Sequence, residues 1–589
     1  MTNKSRKKTP SVLVLGEDTR SFLSVIRSLG KAGYDVHVVC YDRTSPALKS
    51  KYVSSAQFYN YQAYSQSEWL ENVIALIERY QFHLVIPCDE RAIYPLWSAK
   101  HRIPANTQLA IANQLALDVL FDKWKTKQIA IECNVSVADG NIVNLSDTTY
   151  EQLVGVYGKK FVIKPLQSFE ESKLSQRQKV AIVKSESDFN SYIRMAGNGQ
   201  QYLVEKFFSG KGEGLSVLSI KGKVYAAFAH IRVAEPNHGG GSSYRKSIPL
   251  DPELLEATKS ICLRSELTGV AMFEYRRDLQ TNEWILVEVN ARFWGSLPLA
   301  EYAGVDFPAL YADYLVSGEL PSKIQLEYRQ DVFARVLTAD LYEIKREYEI
   351  AALEKGKWNS LMSLLDRLVH ILRFLGPKET IDSFDVTDPR PFIRECILLF
   401  GQLFKAFVRK NSFLLRFRRN RTRARLKKLF KLNSNRTVLF VCYGNIMRSP
   451  FALKCFQDAV DNSHGHIVLS GDSFGFHLDE NRSSPEKACE AALSLGYDLS
   501  THFSKWMTQG DISESDIIVY FDEKNSDKLS AYYRSNYAFC AADLVDESIA
   551  IEATIEDPYG EELYSVILCY KEIESSVKAL VGVYEGAIK

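Results

Sequence analysis

Short apolar runs alternate with amphipathic stretches at the start of the chain. Residues 11–15, SVLVL, read as a buried strand, Ser21 to Lys31 as a helix that Gly33 stops, and Asp35 to Cys40, DVHVVC, as a second strand. This βαβ opening predicts a parallel sheet, and HLVIPC at 83–88 adds a third strand to an α/β domain over 11–116. The first turn, GEDTRS, lacks the GxGxxG spacing of a dinucleotide loop. From 117 to 325, helices alternate with strands rich in Val, Ile, Tyr and Phe (FVIKP, YLVEKFF, LSVLSI, KVYAAFAHIRV, VAMFEYRRD, WILVEVN), the pattern of an α+β domain on antiparallel sheet. Over 326–435 the pattern becomes helical: Leu361, Leu364, Leu365, Leu368 and Leu372 recur before Gly376-Pro377, and Pro391 opens another helix. An α/β pattern restarts at 436 and runs to 589. The expected fold is multidomain, α/β and α+β, ending in an α/β domain on a parallel sheet.

Composition narrows the class. A chain of 589 residues exceeds one ordinary core, and 46% hydrophobic with 25% charged residues is a globular profile, which sets aside disorder, collagen-like repeats and disulfide scaffolds. A net charge of +1 leaves any attraction to membrane or nucleic acid to local patches. Ten cysteines without a dense pairing pattern are expected as reduced, cytoplasmic thiols. The basic tail 1–10 precedes no apolar run of signal type, and the apolar stretch from Cys396 to Val408, interrupted by Lys405, is too short to cross ~30 Å of hydrocarbon.

The C-terminal domain carries the sharpest chemistry. Strand TVLFV leads into Cys442-Tyr-Gly-Asn-Ile-Met-Arg448-Ser449-Pro450, a C-x5-R-S spacing followed by a helix. Such a loop aims successive N–H groups inward, where they and the helix N-terminus receive a phosphate dianion. Arg448 is expected to clamp two phosphate oxygens, Cys442 to attack as a thiolate, and Asp557 in IEDPYG to protonate the leaving oxygen, with Tyr559 as an aromatic wall. The stretch 437–589 resembles the low-molecular-weight protein tyrosine phosphatases through VCYGNIMRSP, SGDSFGFH, SKWMTQGDISESDIIVYFDEKN and DPY. The resemblance implies a phosphocysteine intermediate on Cys442, loop ordering by Asn445 and Ser449, phosphate binding by Arg448, Asp557 as acid then base, and no cofactor. Two departures stand out: Met447 occupies the place of a second loop cysteine, and Gly560 follows Tyr559 where a tyrosine pair is usual. An arsenate reductase would need a relay of close cysteines, which Cys455, Cys489, Cys540 and Cys569 do not offer.

Upstream there is no Walker loop, yet residues suited to ATP recur in order. Lys123 starts a helix and Lys164 ends a strand, both able to reach phosphates; Glu205, Lys206, Phe207 and Phe208 suit a hinge for a purine, and Glu213 a ribose. Glu288 and Asn290 share a strand face, and with Glu274 they would supply oxygen ligands to Mg²⁺, while Arg292 offers a phosphate clamp. This order resembles the ATP-grasp superfamily, in particular its carboxylate–amine ligases, over about 11 to 320. The resemblance implies ATP and Mg²⁺ (or Mn²⁺) as cofactors, and an acyl phosphate made from a carboxylate and attacked by an amine. Arg232 and the loop GGGSSYRKS at 239–247, with Arg245 suited to closing over an anion, would frame the substrate. No glycine follows Lys164 where relatives carry a flap; Ser168 or Ser172 is the expected substitute.

Between 402 and 436 lie thirteen Lys or Arg and no acid, interleaved with Phe and Leu. Two readings stay open: a helix packing its apolar stripe on a catalytic domain, and a helix lying on an anionic membrane surface. No base-reading motif accompanies the cations, so nucleic acid is the least favoured partner. The expectation is therefore a cytoplasmic enzyme, bacterial as the resemblance implies, joining an ATP-grasp ligase-like module to a phosphatase acting on phosphotyrosine protein, with a peripheral place at the inner membrane surface left open. The alternative is a phosphatase gated by a non-catalytic ATP-binding sensor.

Overall fold

The computed structural model describes residues 9–169, 174, 177–196, 200–234, 242–342, 344, 371–409, 411–463, 468–545 and 553–588. The expected helix around Leu361–Leu368, Ser172, residues 239–241 and most of the basic tail 1–10 lie outside them. The chain folds as two compact units: residues up to Cys40 with Ser45–Gln57 and Leu70–Glu395, and Tyr41–Thr44 with Phe58–Trp69 and everything from Cys396.

The first unit holds three sheets. β1(Ser11–Gly16), β2(Asp35–Cys40), β3(Val53–Gln57), β4(Leu84–Pro87) and β5(Gln108–Leu109) pair in parallel in the order β3-β2-β1-β4-β5. The inner strands are covered on both faces, hence their unbroken apolar runs. β3 (VSSAQ) and β5 are edge strands with polar residues, and no apolar run announces them. β6(Gly140–Asn144), β7(Phe161–Pro165), β8(Ala181–Val183) and β9(Gln201–Lys206) form an antiparallel sheet over a core of Leu153, Phe161, Ile163, Phe189 and Val204. The third sheet contains β10(Lys211–Ile220), β11(Lys223–Ala234), β12(Tyr244–Ile248), β13(Gly269–Arg277), β14(Trp284–Asn290), β15(Phe333–Arg335) and β16(Glu379–Ile381), in the order β14-β13-β10-β11-β12-β15-β16. Its pairs are antiparallel except β15 with β16. These last two strands lie in a region expected to be helical; three residues each, they are too short to show a period.

In the second unit β17(Thr437–Cys442), β18(Ser470–Gly475), β19(Ile517–Tyr520) and β20(Tyr537–Cys540) pair in parallel in the order β18-β17-β19-β20. β17 is central and the strand order reverses at it, so the crevice beyond its C-terminal end is where a doubly wound sheet binds ligands. The basic helix Ser412–Leu432 belongs to this unit and buries Leu426, Leu429 and Phe430 in one core with Phe440, Tyr570 and Tyr584. Arg418 Nε donates to Asp543 Oδ1 at 2.6 Å and Arg423 Nη2 to the Leu544 carbonyl at 3.0 Å. Phe58–Trp69 completes a second cluster: Ala63 is buried with Leu439, Met507 and Tyr533, and Trp506 Nε1 donates to the Gln62 carbonyl at 3.0 Å. No described helix is long and apolar enough to cross a membrane.

Candidate active sites

Cys442 ends β17 with its side chain buried, and the loop after it turns back through Asn445, whose φ of 53° lies in the left-handed region. Asparagine is the non-glycine residue that tolerates this backbone best. The turn brings the Asn445 N–H to 3.2 Å from Cys442 Sγ, and Ser449 Oγ stands 3.1 Å from the same sulfur. Asn445 Nδ2 donates to Ser449 Oγ at 2.9 Å and to Ser473 Oγ at 3.1 Å, so its side chain bolts the loop to β18. A Cβ on Gly475 would sit 2.9 Å from the Asn445 nitrogen, which requires glycine where β18 passes the loop. His502 Nε2 donates to the Asn445 carbonyl at 2.7 Å; burial, with Lys505 and Lys454 nearby, lowers its pKa and favours the neutral ring. The helix Arg448–Asp461 starts directly behind the loop.

Arg448 is almost wholly buried beside the thiol. Its Nη1 donates to Asp522 Oδ2 at 2.7 Å and to the Ile555 carbonyl at 2.9 Å, and Nη2 lies 2.7 Å from Asp557 Oδ2. Burial alone would lower its pKa, yet Cys442, Asp557 and Asp522 outweigh burial and hold it above the ordinary arginine value. Asp557 is part exposed, and Tyr559 and Tyr443 stand in solvent, Tyr443 edge-on to the His477 ring. Cys569 is buried and unpaired by any disulfide, its pKa raised by burial.

The first unit has a cavity lined by Lys123, Lys127, Ser168, Glu205, Glu288 and Asn290. Glu205 Oε1 pairs with Lys127 at 2.9 Å and Oε2 with Lys164 at 2.5 Å; burial pushes its pKa up, but the two ammonium groups prevail and lower it. Lys123 Nζ lies 3.3 Å from both Glu288 Oε1 and Ser168 Oγ. Glu288 behaves like Glu205: burial is opposed and overcome by Lys123 and Lys164, so its pKa is lowered. Glu274 and Glu288 face each other across the β13–β14 pair, and Asn290 Nδ2 donates to Glu274 Oε1 at 3.3 Å. Two carboxylates and an amide oxygen on one sheet face suit a hard divalent cation. Arg232 Nη2 donates to Glu274 Oε2 at 2.5 Å, and Arg292 bridges Glu90 Oε2 at 2.9 Å and Asn290 Oδ1 at 3.2 Å. Lys206 is exposed and Phe207 and Phe208 half-buried just past β9, none of them in the cavity wall; the Lys160 ammonium caps the Phe207 ring. Two expectations are corrected. Glu213 is buried and accepts from Arg277 Nε at 3.0 Å, an ion pair inside the sheet away from the cavity wall. Arg245 lies in β12, buried, with Nη2 on Asp382 Oδ1 at 2.5 Å and Nη1 on the Gly295 carbonyl at 2.8 Å, so it braces the fold instead of closing over an anion.

Residues 437–587 match the family model described as low molecular weight phosphotyrosine protein phosphatase, and 199–337 match one described as ATP-grasp in the biosynthetic pathway with Ter operon. The C-terminal region is a low-molecular-weight phosphatase domain. A probable low molecular weight protein-tyrosine-phosphatase, EpsP, of Ralstonia nicotianae is 25% identical over 148 residues, covering 25% of this chain and 94% of the relative. Among solved structures, the biotin carboxylase domain of the Hydrogenobacter thermophilus 2-oxoglutarate carboxylase aligns with a TM-score of 0.44 and 15% identity over 55% of this chain and 73% of that chain. An ADP complex of the purK N5-carboxyaminoimidazole ribonucleotide synthetase aligns at 0.43 and 14% over 58% and 86%, and an L-amino acid ligase of Bacillus licheniformis at 0.42 and 16% over 56% and 79%. Two separate stretches of the chain therefore match family models, an ATP-grasp one over 199–337 and a phosphatase one over 437–587.

Sequence reasoning missed several residues at both centres. In the phosphatase domain, Asp522 and His502 act on the loop from segments remote in sequence, and Arg482 Nη2 donates to the Gly444 carbonyl at 2.6 Å. The FDEKN string contained Asp522, but nothing in its spacing pointed at Arg448. In the ATP-grasp module Lys127 was missed, although it lies one helical turn from Lys123 and so on the same face.

Proposed function

We propose that the two modules act as a bifunctional enzyme: a cysteine-dependent phosphatase and an ATP-dependent carboxylate–amine ligase. The observation that carries the phosphatase half is Arg448, which stands between the loop around Cys442 and the carboxylate of Asp557. In this reading Cys442 Sγ attacks phosphorus, the P–O bond to the leaving group breaks, and Asp557 gives its proton to the leaving oxygen. Arg448 binds two equatorial oxygens, while Asn445 and Ser449 keep the loop in shape. Water then attacks the phosphocysteine, Asp557 takes its proton, and inorganic phosphate leaves with the thiolate restored. Cys442, only 3% exposed, favours the long, flat phenyl phosphate of phosphotyrosine over a serine phosphate, and the exposed Tyr443 and Tyr559 offer walls to the ring. Replacing Cys442 by Ser should abolish p-nitrophenyl phosphate hydrolysis while phosphate-analogue binding persists; wild-type turnover would remove Cys442 from this role.

In the ligase half, Lys123, Lys164 and Arg292 bind nucleotide phosphates. Glu274, Glu288 and Asn290 would hold Mg²⁺ or Mn²⁺, which would supply charge neutralisation to a transferring phosphoryl group. A substrate carboxylate near Arg232 takes that group from ATP, and an amine then displaces phosphate from the acyl phosphate. A screen of carboxylates and amines for ADP release, run on the Cys442→Ser protein, tests this directly. Tight binding of ATP with magnesium and no ADP under any condition would instead make the module a nucleotide sensor for the phosphatase. We place the enzyme in the cytoplasm, held at an anionic membrane surface by the basic region 402–436.

A further inference from the structure

Six large apolar side chains stand in solvent between residues 397 and 417: Ile397 is 54% exposed, Phe400 71%, Leu403 66%, Phe404 62%, Phe413 75% and Phe417 63%. Single exposed apolar residues are ordinary, but several at helical spacing on one helix, followed by two a turn apart on the next, mark a binding face. Residues 400–405 of the helix Arg390–Arg409 are all exposed, so their apolar side chains serve no core of the unit. On the next helix, Ser412–Leu432, the buried residues Leu415, Leu426, Leu429 and Phe430 fall on one side. Phe413, Phe417, Arg421, Lys428 and Lys431 follow at steps of four, four, seven and three residues on the other side, all exposed.

Charge identifies what covers this face. Between 402 and 436 there are thirteen cations and no acid. Arg418, Arg423 and Arg436 turn to the unit's own oxygens, on Asp543, Leu544 and Ser515, while Arg421, Lys428 and Lys431 are exposed in line with the phenylalanines. A second copy of the chain would set this cationic face against itself. A nucleic acid would satisfy the cations and leave the aliphatic side chains in water. An anionic bilayer satisfies both: headgroups meet Lys and Arg, and Phe, Leu and Ile enter the acyl boundary. We propose that 396–432 docks in the plane of an anionic bilayer with Phe400, Leu403, Phe404, Phe413 and Phe417 inserted beneath the headgroups. The inference rests on the peripheral location at an anionic membrane given above and assigns its contact face and the side chains that insert.

The test uses the full chain with vesicles of phosphatidylcholine alone and of equal parts phosphatidylcholine and phosphatidylglycerol. The parent should float with the anionic vesicles and not the neutral ones. The quadruple variant Phe400→Ser, Phe404→Ser, Phe413→Ser, Phe417→Ser should lose at least about tenfold in affinity. Its p-nitrophenyl phosphate hydrolysis should match the parent, which shows the fold intact. The indole of a Phe404→Trp variant should be quenched by lipids brominated on their acyl chains, a signal that neither RNA nor a protein partner produces. Equal binding by parent and quadruple variant, with an unquenched indole, overturns insertion while leaving the peripheral location standing on charge alone. Failure of the parent to bind anionic vesicles overturns both. Phenylalanine-dependent self-association or RNA retention without vesicle binding also overturns the inference.

Discussion

Replacing Asp522 separates two jobs performed by one carboxylate. Its Oδ2 accepts from Arg448 Nη1 at 2.7 Å, and its Oδ1 accepts from the Asn525 N–H at 2.8 Å, capping the helix Glu523–Tyr532. Both partners are buried, with Arg448 1% and Asp522 8% exposed, so the charged hydrogen bond is worth about 2 kcal/mol. Losing the cap adds about 1 kcal/mol. Asp522→Asn keeps a capping oxygen and forfeits the charged bond, so it should cost about 2 kcal/mol; Asp522→Ala should cost about 3 kcal/mol. If the bond also holds the guanidinium where phosphate needs it, kcat/KM for p-nitrophenyl phosphate should fall about 30-fold in both variants. Hydrogen exchange on peptides from 437–587 reads the stability of this unit, which a whole-chain melt would blur. An Asn variant with parental exchange and kcat/KM within about twofold would refute the assignment of Asp522 to Arg448. Parental kcat/KM with accelerated exchange would reduce Asp522 to a helix cap.

Asp557→Ala should slow phenyl phosphate, a poor leaving group, far more than p-nitrophenyl phosphate; equal slowing of the two in steady-state assays removes its proton-donor role. His230 is buried and stacked on Phe228, and burial, with Arg232 and Arg245 adding to it, pushes its pKa from 6.5 down to about 3. The folded form therefore resists a proton that the unfolded chain accepts, so its contribution is intact above pH 6.5 and is lost as pH falls from 6.5 toward about 3. The loss is about 1.4 kcal/mol per pH unit, and His230→Phe should flatten the acid limb of the first unit's unfolding profile. Ala63 is 1% exposed among Leu439, Met507 and Tyr533, so Ala63→Glu should destabilise the phosphatase unit by more than about 2 kcal/mol despite its distance in sequence. Parental exchange over 437–587 in that variant would show the segment to be dispensable.

Strands buried on both faces were plain in the sequence because apolar runs are the price-free signature of that burial: SVLVL became β1, DVHVVC β2 and TVLFV most of β17. Edge strands were not, since β3 and β5 need no apolar alternation, and β15 and β16 are shorter than any period. The C-x5-R-S loop was legible because its chemistry is local: backbone nest, nucleophile and arginine follow one another along a single turn. Arg245 and Glu213 misled for the opposite reason, since a charged residue beside glycines looks the same whether it faces ligand or a buried partner such as Asp382 or Arg277.

The linear chain by itself determined the elements whose periodicity is local and the loop that brings the Asn445 N–H and Ser449 to Cys442. Folding alone decided which carboxylates meet which cations: Asp522 with Arg448, Glu205 with both Lys127 and Lys164, Glu213 with Arg277. It also decided that Ala63 and Phe430, far apart in sequence, are buried in the unit that carries the phosphatase domain. Short-range spacing constrains backbone and helix faces, whereas ion pairs and cores form between segments whose separation along the chain carries no information about their distance in space.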